Sequence, residues 1–169
     1  MILFDHVTKH YHGDSRPALD NISMHIAANE FVFLVGKSGA GKSTLLKMIT
    51  KEEIPDSGKI VIGGIDLDYV NKKHIPNYRR RIGVVFQDYK LLPTRTVYEN
   101  VAFALEIAGM SNHEIESTVP KVLDLVGLSD KAYRFPDNLS GGERQRVSIA
   151  RSVARQPKIL IADEPTGNL

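Results

Sequence analysis

The sequence predicts an α/β fold in which a strand-rich beginning gives way to helices and the chain closes on one more strand. Three observations predict it. Apolar runs of strand length fall at 2–4, 22–26, 31–35, 59–62, 82–86 and 159–162, each bounded by glycine, proline or polar residues. Between 97 and 154 the apolar residues change to a helical period. Finally, the run at 31–35 flows directly into Gly36-Lys37-Ser38-Gly39-Ala40-Gly41-Lys42-Ser43, a glycine-rich loop that opens a helix.

Taken in order, residues 2–35 alternate or cluster as short strands broken by Gly13 and Pro17, which suggests an antiparallel β layer. The all-apolar run at 31–35 has the composition of a buried strand, and 59–62, before Gly63-Gly64, adds another. Residues 44–49 read as the helix after the loop, and 82–86 as a strand leading to Gln87. Val97, Val101, Phe103, Ala104, Leu105 and Ala108 share one helical face; Ile115, Val119, Val122 and Val126 continue the period in a second segment. Pro120 interrupts that segment, so a kink or break is expected there. Gly127 punctuates, and Val147, Ile149, Ala150, Val153 and Ala154 line a further helix before the buried-strand run at 159–162. No repeat, low-complexity run or linker appears.

The pattern G-x-x-x-x-G-K-[ST] at 36–43 binds phosphate because its glycines let consecutive backbone N–H groups turn inward while the following helix aims its positive end at the anion. Lys42 would reach the β- and γ-phosphates and Ser43 would hold Mg²⁺. At average glycine usage a chance match in a chain of this length is on the order of one in a hundred, and its place between strand and helix lowers that further. Asp163 and Glu164 stand at the carboxyl end of the 159–162 strand, where open α/β sheets bind ligands. Asp163 can meet the metal and Glu164 can accept hydrogen bonds from a water attacking the γ-phosphate. An isolated Asp-Glu pair would be an ordinary solvated turn; the phosphate loop gives this one its meaning. Ser140-Gly141-Gly142-Glu143 reads first as a capping box, and Ser111 with Glu114 repeats the spacing, so that pattern proves only a helix start.

The chain has 169 residues, 42% hydrophobic and 25% charged, a formal net charge of +2 and a pI near 8.8. That suits one globular domain with a core of its own, and so small a surplus of positive charge gives no reason to expect nucleic acid as a partner. Lys72-Lys73-His74 and Arg79-Arg80-Arg81 form a local basic cluster that reads as a solvated face or as a contact for anionic lipid or an acidic loop. With no cysteine there is neither a disulfide framework nor a thiolate metal site. Nothing at Met1 has the character of a signal peptide and every apolar run is too short to span a bilayer, so a membrane role would come through a partner. His10 and His12 flank Tyr11 and would project to one side of a strand, with no third ligand near them in sequence; His6, His25, His74 and His113 fall into no ligand spacing.

Four ordered motifs, the loop at 36–43, Gln87, 139–143 and 159–164, follow the order and spacing of the ATP-binding cassette ATPases, and the chain is identified as a member of that family. Within it, residues 75–80, 85–92 and 96–101 most resemble the cell-division branch, whose ATPase works with an FtsX-type integral membrane subunit, while 164–169 is shared with lipoprotein- and macrolide-export ATPases. The resemblance implies a P-loop NTPase (RecA-like) core with an N-terminal antiparallel β layer, residues 1–86 plus 157–169, and an inserted α-helical subdomain, 87–156. It implies ATP and Mg²⁺ as ligands, with Tyr11 stacking on adenine and Gly36, Lys37, Ser38, Gly39, Ala40, Gly41, Lys42, Ser43 and Thr44 around the phosphates. Ser43, Gln87 and Asp163 then serve the metal, and Glu164, Gln87 and Lys42 serve catalysis. Ser140, Gly141, Gly142 and Glu143 close over the ATP of a second copy, so the protein dimerises on ATP.

Tyr89, Leu91, Leu92 and Pro93 become candidate contacts with the membrane subunit, at the cytoplasmic face of the bacterial inner membrane. By the same resemblance the chain stops within the D-loop, before the switch histidine and before a strand that usually lies between the phosphate-loop strand and the one at 159–162. An incomplete copy of a longer protein is therefore expected, and two hypotheses follow: an ATPase in the complete protein, or a nucleotide-binding module without turnover in these 169 residues. Chromosome-organising ATPases carry the same motifs but separate them by long coiled coils, and no sustained heptads lie between Ser43 and Leu139.

Overall fold

The computed structural model describes residues 1–13 and 15–163, and the chain divides into two compact units, Met1–Arg79 and Arg80–Leu169.

The first unit is built on the antiparallel sheet expected from the early strand runs. Its order is β2-β1-β3-β4, with β1 Ile2–Lys9, β2 Leu19–Ile26, β3 Ser57–Ile62 and the two-residue β4 Ile65–Asp66. Central β1 sets Phe4 opposite both Met24 and Ile60. Its buried positions run Ile2, Phe4 and then Val7, because the register shifts between Phe4 and Val7, where His6 takes φ 51. An extra residue of this kind rephases the two-residue alternation and keeps apolar side chains on the covered face. Helix α1, Lys42–Ile49, buries Thr44, Leu45, Met48 and Ile49, one stripe of its surface. Helix α2, Ile75–Arg79, returns to the end of α1: the Tyr78 hydroxyl donates to the Ile49 carbonyl at 2.5 Å and Arg79 Nε donates to Thr50 O at 2.9 Å, satisfying carbonyls that a helix end leaves open. Burial raises the Tyr78 pKa, so its hydroxyl stays a donor.

The second unit pairs β5, Ile82–Val85, in parallel with β6, Ile159–Ala162, residue by residue from Ile82↔Ile159 to Val85↔Ala162. Three helices follow β5: α3 Val97–Ala108, α4 Asn112–Leu125 and α5 Gly141–Val153. Their core is one cluster in which Val97, Val101 and Leu105 of α3, Val119 and Leu123 of α4, and Val147 and Ala150 of α5 are almost fully buried. Each helix starts on a complete capping box, Thr96/Glu99, Ser111/Glu114 and Ser140/Glu143, so its first orphan N–H groups are satisfied locally. Among the described residues no helix is long and apolar enough to cross a membrane.

Two expectations are corrected. Residues 31–35 are not a strand: they have no regular structure, and Phe31, Phe33 and Val35 are 85%, 79% and 86% exposed. An apolar run becomes a buried strand only when neighbours supply both a ladder and covered faces, and among the described residues no strand pairs with this one. Of the kink or break expected at Pro120, the break does not occur, since α4 runs through it from Asn112 to Leu125. The proline removes one N–H donor, and burial of Ile115, Val119 and Leu123 on one face holds the helix together across it.

Candidate nucleotide site and signature helix

In the first unit, the 36–43 loop owes its shape to two left-handed glycines, Gly39 at φ 78 and Gly41 at φ 85, with a turn closed by the Ala40 N–H on Lys37 O at 3.1 Å. Gly41 is also the N-cap of α1, and no side chain caps that helix. The first N–H groups of α1 are therefore left for a ligand, with the positive end of the helix behind them. Lys42 turns back over the loop, its ammonium donating to Gly36 O at 2.8 Å and Lys37 O at 2.9 Å. A cation held only by two carbonyls, at the start of a helix that no side chain caps, suits an anionic ligand such as a polyphosphate. Residues 31–41 other than Gly41 are exposed, as is Ser43, while Lys42 is half-buried. The Tyr11 hydroxyl lies 3.4 Å from Thr44 Oγ1, which brings the aromatic ring predicted for adenine to the first turn of α1. The Lys9 ammonium lies 5.7 Å from the centre of that ring. His10 is taken up by Asp56: its backbone N–H donates to Asp56 Oδ2 at 2.6 Å and its ring Nδ1 lies 3.2 Å from the same oxygen.

In the second unit, the β5–β6 register brings Gln87 and Asp163 to the same carboxyl edge. Val85 is paired with Ala162, and the ladder continues as the Asp163 N–H donates to Val85 O at 3.0 Å. Gln87 follows two residues after Val85, so amide and carboxylate emerge from neighbouring parallel strands. Glu164 lies outside the described residues. The Gln87 amide oxygen and the Asp163 carboxylate are hard oxygen donors of the kind that Mg²⁺ takes.

The signature stretch is a helix start with a charged brace. Ser140 N–H donates to Glu143 Oε2 at 2.7 Å, Glu143 N–H donates back to Ser140 Oγ at 3.3 Å, and the Lys131 ammonium lies 3.0 Å from Glu143 Oε1. The Ser140 backbone bond, followed by Lys131, pulls the Glu143 carboxyl down to about 2. The capping box uses the N–H groups of Ser140 and Glu143, which leaves those of Gly141 and Gly142, half-buried, beside a carboxylate whose charge Lys131 offsets.

The profile described as "ABC transporter" matches residues 19–167. The chain belongs to the ABC transporter family. Three relatives, each described as the cell division ATP-binding protein FtsE, extend that finding. The one from Mycobacterium tuberculosis is 52% identical over the whole chain, which spans 74% of its length. The one from Bacillus subtilis is 60% identical over 90% of the chain and 67% of its own length, and the one from Escherichia coli K12 is 53% identical over the whole chain and 76% of its length. Among solved structures, the ATP-binding cassette MJ0796, in a dimeric post-hydrolysis state bound to ADP and Pi, superposes with a TM-score of 0.90 at 36% identity. That match covers the whole chain and 76% of MJ0796. The α/β cassette fold read from the motifs is therefore the fold of this ABC family member.

Sequence reasoning missed several residues on which the second unit depends. Asn100 is fully buried and its side chain makes four hydrogen bonds, accepting from Leu92 N–H at 2.8 Å and donating to the carbonyls of Leu92, Arg95 and Thr96. Lys131 and Arg151 carry no signal of their own, because an isolated lysine or arginine has no pattern until its partner is known. The usable signal was local: an asparagine at a position where the α3 period demands an apolar residue.

Proposed function

We propose that this chain is the ATP-binding and ATP-hydrolysing subunit of a bacterial cell-division membrane complex of the FtsE–FtsX type. The observation that carries the reading is the 36–43 loop, with its uncapped helix and inward lysine, in a chain 52–60% identical to cell division ATP-binding proteins.

In this reading residues 1–86 with 157–169 form the ATP-binding core and 87–156 the helical subdomain. Tyr11 stacks on adenine; the N–H groups from Gly36 to Thr44 cradle the phosphates; Lys42 lets go of its two loop carbonyls and takes the β- and γ-phosphate oxygens. Ser43, Gln87 and Asp163 would hold Mg²⁺, which when bound would neutralise phosphate charge. Glu164 accepts a proton-side hydrogen bond from the attacking water and so orients it along the line of the bond to be broken. Ser140, Gly141 and Gly142 of a second copy bring their helix N-terminus onto the γ-phosphate, and the Lys131 brace keeps Glu143 from repelling it. ATP thereby dimerises the protein, and an FtsX-like membrane subunit received around Tyr89, Leu91, Leu92 and Pro93 follows the closure. The protein would thus work as a peripheral component at the cytoplasmic face of the inner membrane.

Hydrolysis by the full-length protein tests the core of this. Turnover should need Mg²⁺ and drop to near background in Glu164→Gln, and Lys42→Ala should lose nucleotide affinity as well. Unchanged turnover in Glu164→Gln would overturn the assignment. Co-purification with an exporter permease in place of an FtsX-like subunit would move the chain to lipoprotein or macrolide export.

A further inference from the structure

The segment after Gln87 is held in a shape that it would not keep by itself. Tyr89 and Lys90 both take left-handed backbone, at φ 59 and φ 47. With a side chain present, that conformation crowds the Cβ against the carbonyl, and two such residues in succession persist only where surrounding structure forces them. The forcing group comes from α5, some sixty residues further along the chain. Arg151 Nη1 donates to Lys90 O at 2.5 Å and Nη2 donates to Tyr89 O at 2.6 Å. A guanidinium can span two successive carbonyls because its donors form a rigid fork, and a lysine ammonium cannot reproduce this. Arg151 is half-buried, and that burial lowers its pKa from its very high ordinary value without removing its charge, so both hydrogen bonds are charge-assisted. Two helical turns earlier on the same stripe, the Arg144 guanidinium lies 5.8 Å from the centre of the Tyr89 ring. The Asp88–Lys90 ion pair at 2.5 Å is mostly exposed and contributes little to holding the turn.

We propose that Arg151 is a positioning residue for Gln87: by fastening the Tyr89 and Lys90 carbonyls to the helix that begins at Ser140, it sets the place of Gln87 and makes that loop and the signature helix move as one piece. The inference rests on the reading of Gln87 given under Proposed function. Loss of the clamp lets Tyr89 and Lys90 relax to ordinary backbone and displaces Gln87, while the phosphate loop, in the other unit of the chain, keeps its own hydrogen bonds.

The test uses the full-length protein carrying Arg151→Met, Arg151→Lys, Gln87→Ala, and Arg151→Met combined with Lys90→Gly. Two readouts are followed, hydrogen exchange in the peptide 86–92 and steady-state ATP hydrolysis beside equilibrium ATP binding. Arg151→Met should raise exchange in 86–92 and lower kcat, each by about tenfold or more, the loss of charge-assisted hydrogen bonds, with ATP affinity within about twofold of the parent. Arg151→Lys should fall between. Adding Lys90→Gly should return part of the turnover, because glycine takes φ 47 without strain and needs less holding.

Unchanged exchange in Arg151→Met would overturn the proposal, and so would a loss of turnover that Lys90→Gly leaves untouched, since that is the signature of damaged helix packing. If Arg151→Met cannot be purified folded, Arg151→Lys with and without Lys90→Gly gives the same two outcomes. Full turnover in Gln87→Ala would instead remove the reading of Gln87 and the catalytic part of the proposal with it, while exchange decides separately whether Arg151 holds the loop.

Discussion

Gly39→Ala and Gly41→Ala make a matched pair, because the two glycines share a backbone conformation and differ in what surrounds them. Both are left-handed, at φ 78 and φ 85. A Cβ at Gly39 meets nothing within 4 Å, so that substitution carries only the conformational cost, about 1–2 kcal/mol. A Cβ at Gly41 would lie 2.3 Å from the Ala18 carbonyl oxygen and 2.8 Å from Leu19 Cδ2. Ordinary C···O contacts begin near 3.3 Å, so the carbonyl must retreat by about 1 Å. Ala18 is not free to do so: its N–H donates to Lys9 O at 2.7 Å, and β2 starts at the next residue. Overpacking against such a wall costs about 1–3 kcal/mol more. The expected totals are then about 1–2 kcal/mol for Gly39→Ala and about 2–5 kcal/mol for Gly41→Ala. At about 2–4 °C per kcal/mol for a chain of this size, the melting temperatures should fall by roughly 2–8 °C and roughly 4–20 °C respectively. Urea unfolding of the two variants beside the parent measures the difference directly. Equal destabilisation, within about 0.5 kcal/mol, would refute the argument that the Ala18 backbone is a rigid wall against which the phosphate loop is built.

Two further expectations concern the second unit. Glu143 has a folded-state pKa of about 2, below its ordinary 4.5, so its contribution to stability is complete above that ordinary value and is lost as pH falls through about 2. Glu143→Gln should therefore flatten the decline of stability between pH 4.5 and 2, read as denaturation midpoints across a pH series; an identical decline in parent and variant would show that the brace from Lys131 and Ser140 is energetically idle. Asn100→Leu keeps the volume but strands the Leu92 N–H and the carbonyls that the amide served, which should cost about 2–4 kcal/mol in urea unfolding. A loss under about 1 kcal/mol would mean that water replaces the amide, and that Asn100 does not tie α3 to the segment after Gln87.

What could be read ahead of the structure was whatever depends on near neighbours in the chain. The 36–43 loop is eight consecutive residues, and its turn into a helix follows from glycines at set spacings, whereas the uncapped start of α1 and the fold of Lys42 onto Gly36 O and Lys37 O came from the structure. The capping boxes at Ser111/Glu114 and Ser140/Glu143 are three-residue offsets and formed as the spacing implies, and the structure adds a third at Thr96/Glu99. The β layer and the helical faces followed from period alone, although β1 grew to eight residues through a bulge that no alternation announces. Residues 31–35 show where such reading ends. Their composition is that of a buried strand, yet a strand is a relation between segments, and composition says nothing of whether a partner is at hand. Pro120 shows the converse, a local breaker outweighed by the burial of Ile115, Val119 and Leu123.

The sequence by itself thus determined the local pieces, a glycine-rich loop opening a helix at 36–43, an acidic strand end at Asp163 and a capped, glycine-rich helix start at Ser140, because each is written within a few residues of backbone. Only the tertiary structure decided which distant groups hold those pieces in place. Arg151 grips the carbonyls of Tyr89 and Lys90 across more than sixty residues of chain, and Lys131 braces Glu143 across twelve. Side-chain hydrogen bonds of this kind depend on where the chain returns in space, and arginine or lysine in a sequence has no direction until the fold aims it.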